Sequence, residues 1–223
     1  MQCGSEAMTG TIITIAQQKG GAGKTTLAAQ LAVALAHGGK RVAAIDIDPQ
    51  KSLSTWFGMR AEMHRDLAYK GKGALEILQV TGWRAASEIE RQAGENDVVI
   101  VDSPPHAETE VRIAIRNAHL VVVPVQPNPM DVWATKPTLE MAAGEKTPVL
   151  LVLNRVPPRA KLTERMVAAL NALEVPVAQS QVGNRVALAS SMADGLGVVE
   201  FARKSVAAKE INALARTVLN ASG

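Results

Sequence analysis

Cysteine, aromatic residues and long apolar runs are all scarce in this chain. Its 223 residues include one cysteine, Cys3, so no intrachain disulfide can form. One chain also supplies too few thiolates for a Cys₄ zinc site or a cysteine-held iron–sulfur cluster. This fits a reducing, cytoplasmic compartment. Aromatic residues amount to 3%, too few for the stacking platforms of single-strand binders. Apolar runs such as Val98–Val101, Leu120–Val123 and Val149–Leu153 fall well short of the roughly 18 residues a membrane helix needs. Residues 1–10 have neither the basic nor the apolar stretch of a signal peptide and read as a loose leader, with Met8 an alternative start.

With 47% hydrophobic and 20% charged residues the composition is that of a soluble globular chain, and its length suits one domain, residues 11–223. The net charge is only +3, unevenly placed: 15 basic against 16 acidic residues up to Leu150, then 9 against 5 from Leu151 onward. A solvated helical surface and a basic face for a polyanion are both consistent with that excess. Short β-branched runs alternate with longer helical patterns. Strands are expected at Thr11–Ala16, Arg41–Ile47, Val98–Val101, Leu120–Val125 and Val149–Leu153, apolar on both faces as in a buried parallel sheet. Helices are expected at Lys24–His37, ended by Gly38-Gly39, and around Ala107–Asn117, Ala134–Ala143, Leu162–Leu173 and Ser205–Leu219. The alternation predicts an α/β fold, a single doubly wound, mostly parallel sheet flanked by helices. Ligands then bind beyond the carboxyl ends of the strands.

After the first strand comes Lys19-Gly20-Gly21-Ala22-Gly23-Lys24-Thr25-Thr26, and then a helix. Gly20, Gly21 and Gly23 permit backbone conformations that side chains would block. Successive amides can then face phosphate oxygens, reinforced by the positive end of the helix. Lys24 supplies a charge for β- and γ-phosphates, and the Thr25 hydroxyl suits Mg²⁺. The common phosphate-loop pattern would have glycine at Gln18. With lysine at Lys19 instead, the segment resembles the deviant Walker A motif of the ParA/MinD superfamily of P-loop ATPases. The resemblance implies ATP and Mg²⁺ as ligands, Gly20 to Thr26 as the nucleotide cradle, and a homodimer with ATP sandwiched between its subunits. In that family the extra lysine, here Lys19, reaches across to the partner's ATP phosphates, stabilising charge as an arginine finger does.

The other strands end in informative residues too. Ile45-Asp46-Ile47-Asp48-Pro49-Gln50 puts two carboxylates on the same side of a strand end. It resembles the family's switch I motif, which implies a hydrolytic role for Asp48, although Lys51 stands where glycine is usual. Asp97-Val98-Val99-Ile100-Val101-Asp102 reads as a Walker B strand whose acid, Asp102, holds Mg²⁺ through water. Ser103-Pro104-Pro105 after it is similar to switch II. Leu153-Asn154-Arg155 ends the last strand, and by the resemblance Asn154 and Arg155 lie against the adenine. Pro124–Pro129 resembles the family's proline-rich segment near the subunit interface, with no chemical role assigned.

Members of the superfamily do different jobs. Nitrogenase iron protein needs cluster cysteines, and none follows Cys3. Tyrosine-kinase relatives carry a tyrosine-rich tail, and the one tyrosine is Tyr69. MinD ends in a lipid-binding helix; here Val206, Ile211, Leu214, Val218 and Leu219 form a stripe that reads as core packing, so no membrane partner is expected. With the phosphate loop starting at Lys19, no N-terminal operator-binding domain is expected. The chain is thus most similar to a short ParA-like ATPase, and Gly183-Asn184-Arg185 and Gly195 to Glu200 resemble the carboxy-terminal pattern of that group. The expected function is a partition or positioning ATPase, cytoplasmic and nucleoid-associated. It binds nonspecific double-stranded DNA when ATP-bound, and a ParB-like or cargo-adaptor protein stimulates hydrolysis. Arg185, Arg203, Lys204, Lys209 and Arg216 are the candidate DNA contacts. A MinD-like membrane-positioning ATPase and a biosynthetic ATP-dependent ligase are the alternatives.

Overall fold

A computed structural model describes residues 10–65, 73–158 and 161–223. Cys3, Met8 and Tyr69 lie outside them, as does the expected leader except for Gly10, which is buried and donates its amide to the Ala93 carbonyl at 2.6 Å. Six strands form the sheet: β1 (Thr11–Ile15), β2 (Arg41–Asp46), β3 (Ala74–Gln79), β4 (Val98–Asp102), β5 (Leu120–Val125) and β6 (Val149–Leu153). The helices between and after them are α1 (Lys24–His37), α2 (Ser52–Met63), α3 (Arg84–Glu95), α4 (Glu108–Arg116), α5 (Pro129–Trp133), α6 (Lys136–Glu145), α7 (Lys161–Asn171), α8 (Val186–Ala193), α9 (Val198–Phe201) and α10 (Val206–Ala221). All neighbouring strands are parallel, in the order β3-β2-β4-β1-β5-β6. The chain leaves β1 for one edge, returns through β4, and crosses over β1 to β5 and β6. The crevice for a ligand therefore opens at the carboxyl end of β1, where the winding reverses.

Alternate strand residues feed opposite cores. On one face Ile13, Ile15, Ala44, Ile100 and Val122 pack under α1 and α10. On the other, Ile12, Ile45, Val99 and Val101 meet α3, while Val121, Val123 and Leu151 meet α4, α6 and α7. Helix α1 is buried on every side from Leu27 to Ala36 because it lies between the sheet and α10, which explains its lack of a polar face. Helix α10 contributes Ile211, Leu214 and Val218 to the same core, with Leu219 packed against it. Val206, expected on that stripe, is instead exposed in the helix's first turn.

Three expectations need correction. There are six strands, because the edge strand β3 was not anticipated. Helices α2, α3, α8 and α9 were not anticipated either. The helix expected around Ala134–Ala143 is α6, shifted two residues along, and the short α5 before it was not anticipated. Helix α2 is fastened at both ends. At its start Asp46 Oδ2 accepts from the Ser54 amide at 2.8 Å and hydroxyl at 2.9 Å. Near its end the buried Arg60 guanidinium donates to both Glu200 carboxylate oxygens at 2.7 and 2.8 Å and to the Gly195 carbonyl at 2.9 Å. Trp56 between them donates to the Met192 carbonyl at 3.1 Å.

Candidate nucleotide-binding site

The loop from Lys19 to Gly23 turns the chain from β1 into α1. Gly21 (φ 79°) and Gly23 (φ 89°) sit in the left-handed region that glycine enters without penalty. A Cβ on Gly23 would also stand 2.6 Å from Asn154 Nδ2, so the position excludes side chains twice over. Asn154 is what presses there: its amide donates to the Ala22 carbonyl at 2.8 Å, and its Oδ1 accepts from the Arg155 amide at 3.0 Å. Arg155, itself at φ 53°, donates to the Gly21 carbonyl at 3.1 Å. The end of β6 thus braces the glycine loop.

Beside the loop lies a cavity of about 200 Å³ lined by Gly20, Gly21, Gly23, Lys24, Thr25, Thr26, Asp48, Pro105 and Arg155. The expected phosphate-binding residues therefore converge with Asp48. Lys24 forms its floor, 7% exposed; burial pulls its pKa down while Asp102 and Asp48 hold it up. A second cavity of about 380 Å³ shares Thr26 and Arg155 with the first and adds Asn154, Gly183, Asn184, Arg185, Leu188, Ala189 and Met192. It has the walls a nucleoside needs, apolar side chains with a few amide and guanidinium groups. The α8 wall of Leu188, Ala189 and Met192 carries no motif, so sequence reasoning had no signal for it. Arg185 lies in this wall, bonded to Glu210 at 2.6 Å. Arg203, Lys204, Lys209 and Arg216 are exposed at a distance in sequence from the loop. Lys209 and Arg216 stand seven residues apart on one side of α10.

The two acids after β2 divide the labour. Asp46 is consumed by structure, holding α2 through Ser54 and accepting the Asp48 amide at 3.1 Å. Asp48 faces the cavity, its Oδ1 accepting the Gln50 amide at 2.9 Å. Lys51 takes φ 56° at the start of α2, which accounts for glycine being the usual residue there: the position is left-handed. Asp102, the register partner of Asp46, is fully buried, and among the described residues neither of its oxygens has a hydrogen-bond donor in place. Burial pushes its pKa up to about 7; the nearby Thr25 hydroxyl and Lys24 ammonium pull down, Asp46 and Asp48 push up. A buried carboxylate with both oxygens unsatisfied is a place made for a cation or its water ligands. With the Thr25 hydroxyl it offers hard oxygen donors beside a phosphate cleft, a set that fits Mg²⁺.

Asp102 also sets a pH dependence. A carboxyl whose pKa is raised by folding holds its proton more tightly in the folded chain than in the unfolded one. Its burial therefore costs nothing below the ordinary carboxylate value, costs progressively more as pH rises toward about 7, and costs the full amount above that. Without Mg²⁺ at about pH 8, Asp102→Asn is expected to melt ~5 °C or more above the parent chain, an advantage that shrinks by about 1.4 kcal/mol per pH unit once the pH falls below about 7. Adding Mg²⁺ should raise the melting temperature of the parent only. Thermal melts across pH, with and without Mg²⁺, check both statements.

One residue at the site carried no signal in the sequence. Lys19, at the rim with 36% of its side chain exposed, is ion-paired with Asp131 of α5, whose side chain is 1% exposed. Asn128 caps α5, accepting the Asp131 amide at 3.0 Å, and its own amide contacts the same Asp131 carboxylate. Gln126 ties this segment to the loop by donating to the Gly21 carbonyl at 3.0 Å.

Comparison with known proteins shows the family and the fold. Residues 13–198 match the family model described as the CobQ/CobB/MinD/ParA nucleotide binding domain. The maintenance of carboxysome distribution protein A of Halothiobacillus neapolitanus is 29% identical over 214 residues, 93% of this chain and 95% of that protein. Among solved structures, the cell division ATPase MinD of Pyrococcus furiosus superposes with a TM-score of 0.78 at 22% identity, covering 95% of this chain and 99% of that one. The septum site-determining protein MinD of Pyrococcus horikoshii, solved with Mg-ADP, superposes at 0.74 with 22% identity, covering 93% and 95%.

Proposed function

The chain belongs to the CobQ/CobB/MinD/ParA nucleotide-binding family, and from that premise we propose that it is a ParA-like ATPase. In this reading two copies sandwich ATP, grip nonspecific double-stranded DNA while ATP is bound, and segregate or position a DNA or protein cargo. A ParB-like or cargo-adaptor protein stimulates hydrolysis and so release. The observation that carries the proposal is one glycine loop with two lysines in different settings: Lys24 buried and lining the cleft, Lys19 partly exposed and paired with Asp131. A loop that only bound nucleotide would need the first alone. The full-length likeness to a carboxysome-distribution protein supports a positioning role.

The residues divide the chemistry as follows. The amides from Gly20 to Thr26 and the Lys24 ammonium hold the phosphates, while Asn154, Arg155 and the α8 wall enclose the nucleoside. Thr25 and, through water, Asp102 hold Mg²⁺, which when bound neutralises charge on the β- and γ-phosphates. Asp48 orients the attacking water, and the partner's Lys19 stabilises the charge that develops in transfer. Arg203, Lys204, Lys209 and Arg216 contact DNA phosphates; Arg185, already paired with Glu210, has the least charge to offer. The protein then resides in the cytoplasm on the nucleoid. The last helix spends Ile211, Leu214 and Val218 on the core, which argues against a lipid-binding role for that stripe.

Binding to a random duplex DNA fragment with ATP, with ADP and without nucleotide, at two salt concentrations, tests the proposal. The expected result is binding with ATP alone, weakened about tenfold or more by a fourfold rise in salt. No binding in any state would sink the nucleoid role and turn attention to ATP-dependent liposome pelleting and to small carboxylate substrates.

A further inference from the structure

The lysine that this reading sends to a partner's ATP is already engaged at home. Lys19 is bonded to Asp131, a carboxylate removed from solvent; Asn128 touches the same oxygen, and among the described residues the second oxygen, Oδ1, has no partner. The pairing is not an accident of a loose chain. Asp131 is placed by the Asn128 cap and Pro129 at the start of α5, and Gln126 fixes that segment to the glycine loop from which Lys19 projects. A buried carboxylate deprived of its counter-ion is strongly unfavourable, so Asp131 holds Lys19 with the full force of its own burial.

We propose that Asp131 is a positioning residue for Lys19, a latch that keeps the ammonium within its own subunit until a stronger anion is presented by the partner. The proposal rests on the trans role of Lys19 argued above. Its consequence is discrimination. For Lys19 to cross the interface, the phosphates of the facing nucleotide must outbid a buried carboxylate. A triphosphate offers more charge for that exchange than a diphosphate, so the latch raises the threshold for dimerisation and widens the gap between the two nucleotides. Without the carboxylate, the ammonium is available to any facing nucleotide.

Sedimentation of the full chain with a non-hydrolysable ATP analogue, and with ADP, tests this in four proteins: the parent, Asp131→Asn, Lys19→Ala and the double variant. Asp131→Asn is expected to tighten analogue-dependent dimerisation at least tenfold and to permit dimers with ADP. In the Lys19→Ala background the same substitution should change nothing, a non-additivity that a merely structural lesion would not produce. Asp131→Glu, which keeps the charge, should restore the parent threshold. If the amide variant does not fold, Asp131→Ser removes the charge with a smaller side chain and carries the same expectation. A folded Asp131→Asn protein that dimerises no more readily than the parent overturns the latch. If that result comes with Lys19→Ala dimers lacking hydrolysis of ATP, the trans lysine survives and only the latch falls. Lys19→Ala hydrolysing ATP at the parent rate removes the trans lysine and the latch together.

Discussion

Lys24→Ala is expected to weaken ATP binding on the order of a hundredfold or more, because the lost group is a desolvated ammonium on the floor of the phosphate cleft. Removing a charge from water-free surroundings is costly to the partner it leaves behind, and here there are two sets of partners. In the proposed function, with nucleotide present, they are phosphate oxygens. Without it they are Asp102 and Asp48, whose charges hold the Lys24 pKa up against burial. The substitution therefore acts on the empty protein as well, leaving Asp102 and Asp48 without their nearby cation. Titration calorimetry with ATP measures the first effect. A melting curve of the free protein, displaced downward most above about pH 7 where Asp102 is ionised, measures the second. An affinity within a fewfold of the parent would mean that the cavity beside Lys24 is not where phosphates bind.

Lys19→Ala is expected to separate binding from turnover. Lys24 and the loop amides remain, so a single subunit should bind ATP within a fewfold of the parent. Hydrolysis should fall about a thousandfold, the scale on which a cation supplied in trans stabilises phosphoryl transfer. Steady-state phosphate release with the activating protein or DNA present, set beside equilibrium ATP binding, gives both numbers from one preparation. Turnover near the parent rate would show that Lys19 belongs to its ion pair with Asp131 and has no part in the chemistry. Loss of both binding and turnover would point to damage of the loop, which the melting temperature would register.

What the sequence revealed and what it hid follow from how local each requirement is. The phosphate loop needs glycines, a lysine and a hydroxyl within a few residues, so its chemistry is written in one segment, and Lys24–His37 forms the helix expected after it. Strands β1, β2, β4, β5 and β6 are buried on both faces and stand out as apolar runs. The edge strand β3, Ala74–Gln79, is half exposed and alternates weakly, so it resembles a surface segment until its pairing with β2 is seen. Helix α2 buries Leu53, Trp56 and Arg60, and the guanidinium hides that stripe because a charged residue reads as solvent-facing until Glu200 is placed against it. Helix α3 buries only Ala85, Ile89, Gln92 and Ala93 among charged neighbours. Asp131 is the sharpest case. An acid in the first turn after Asn128-Pro129 is an ordinary helix start, and nothing local says that it is buried or that its cation lies 112 residues earlier.

The strand order has a consequence for how the chain is made. Strand β1 pairs with β4 and β5 and with neither of the two strands that follow it. A chain leaving the ribosome exposes the glycine loop before the later strands of the sheet, and the strand that anchors it finds its second neighbour only when Val125 has emerged. At ~5–20 residues per second that interval is on the order of ten seconds. Until β4 emerges, Ile12, Ile13 and Ile15 are apolar side chains without a sheet to enter, and throughout the interval the loop lacks the Asn154 that later braces it. The nascent protein thus spends its most vulnerable period with its most chemically specialised segment unhoused, and its yield in a cell should depend on what shelters those first strands.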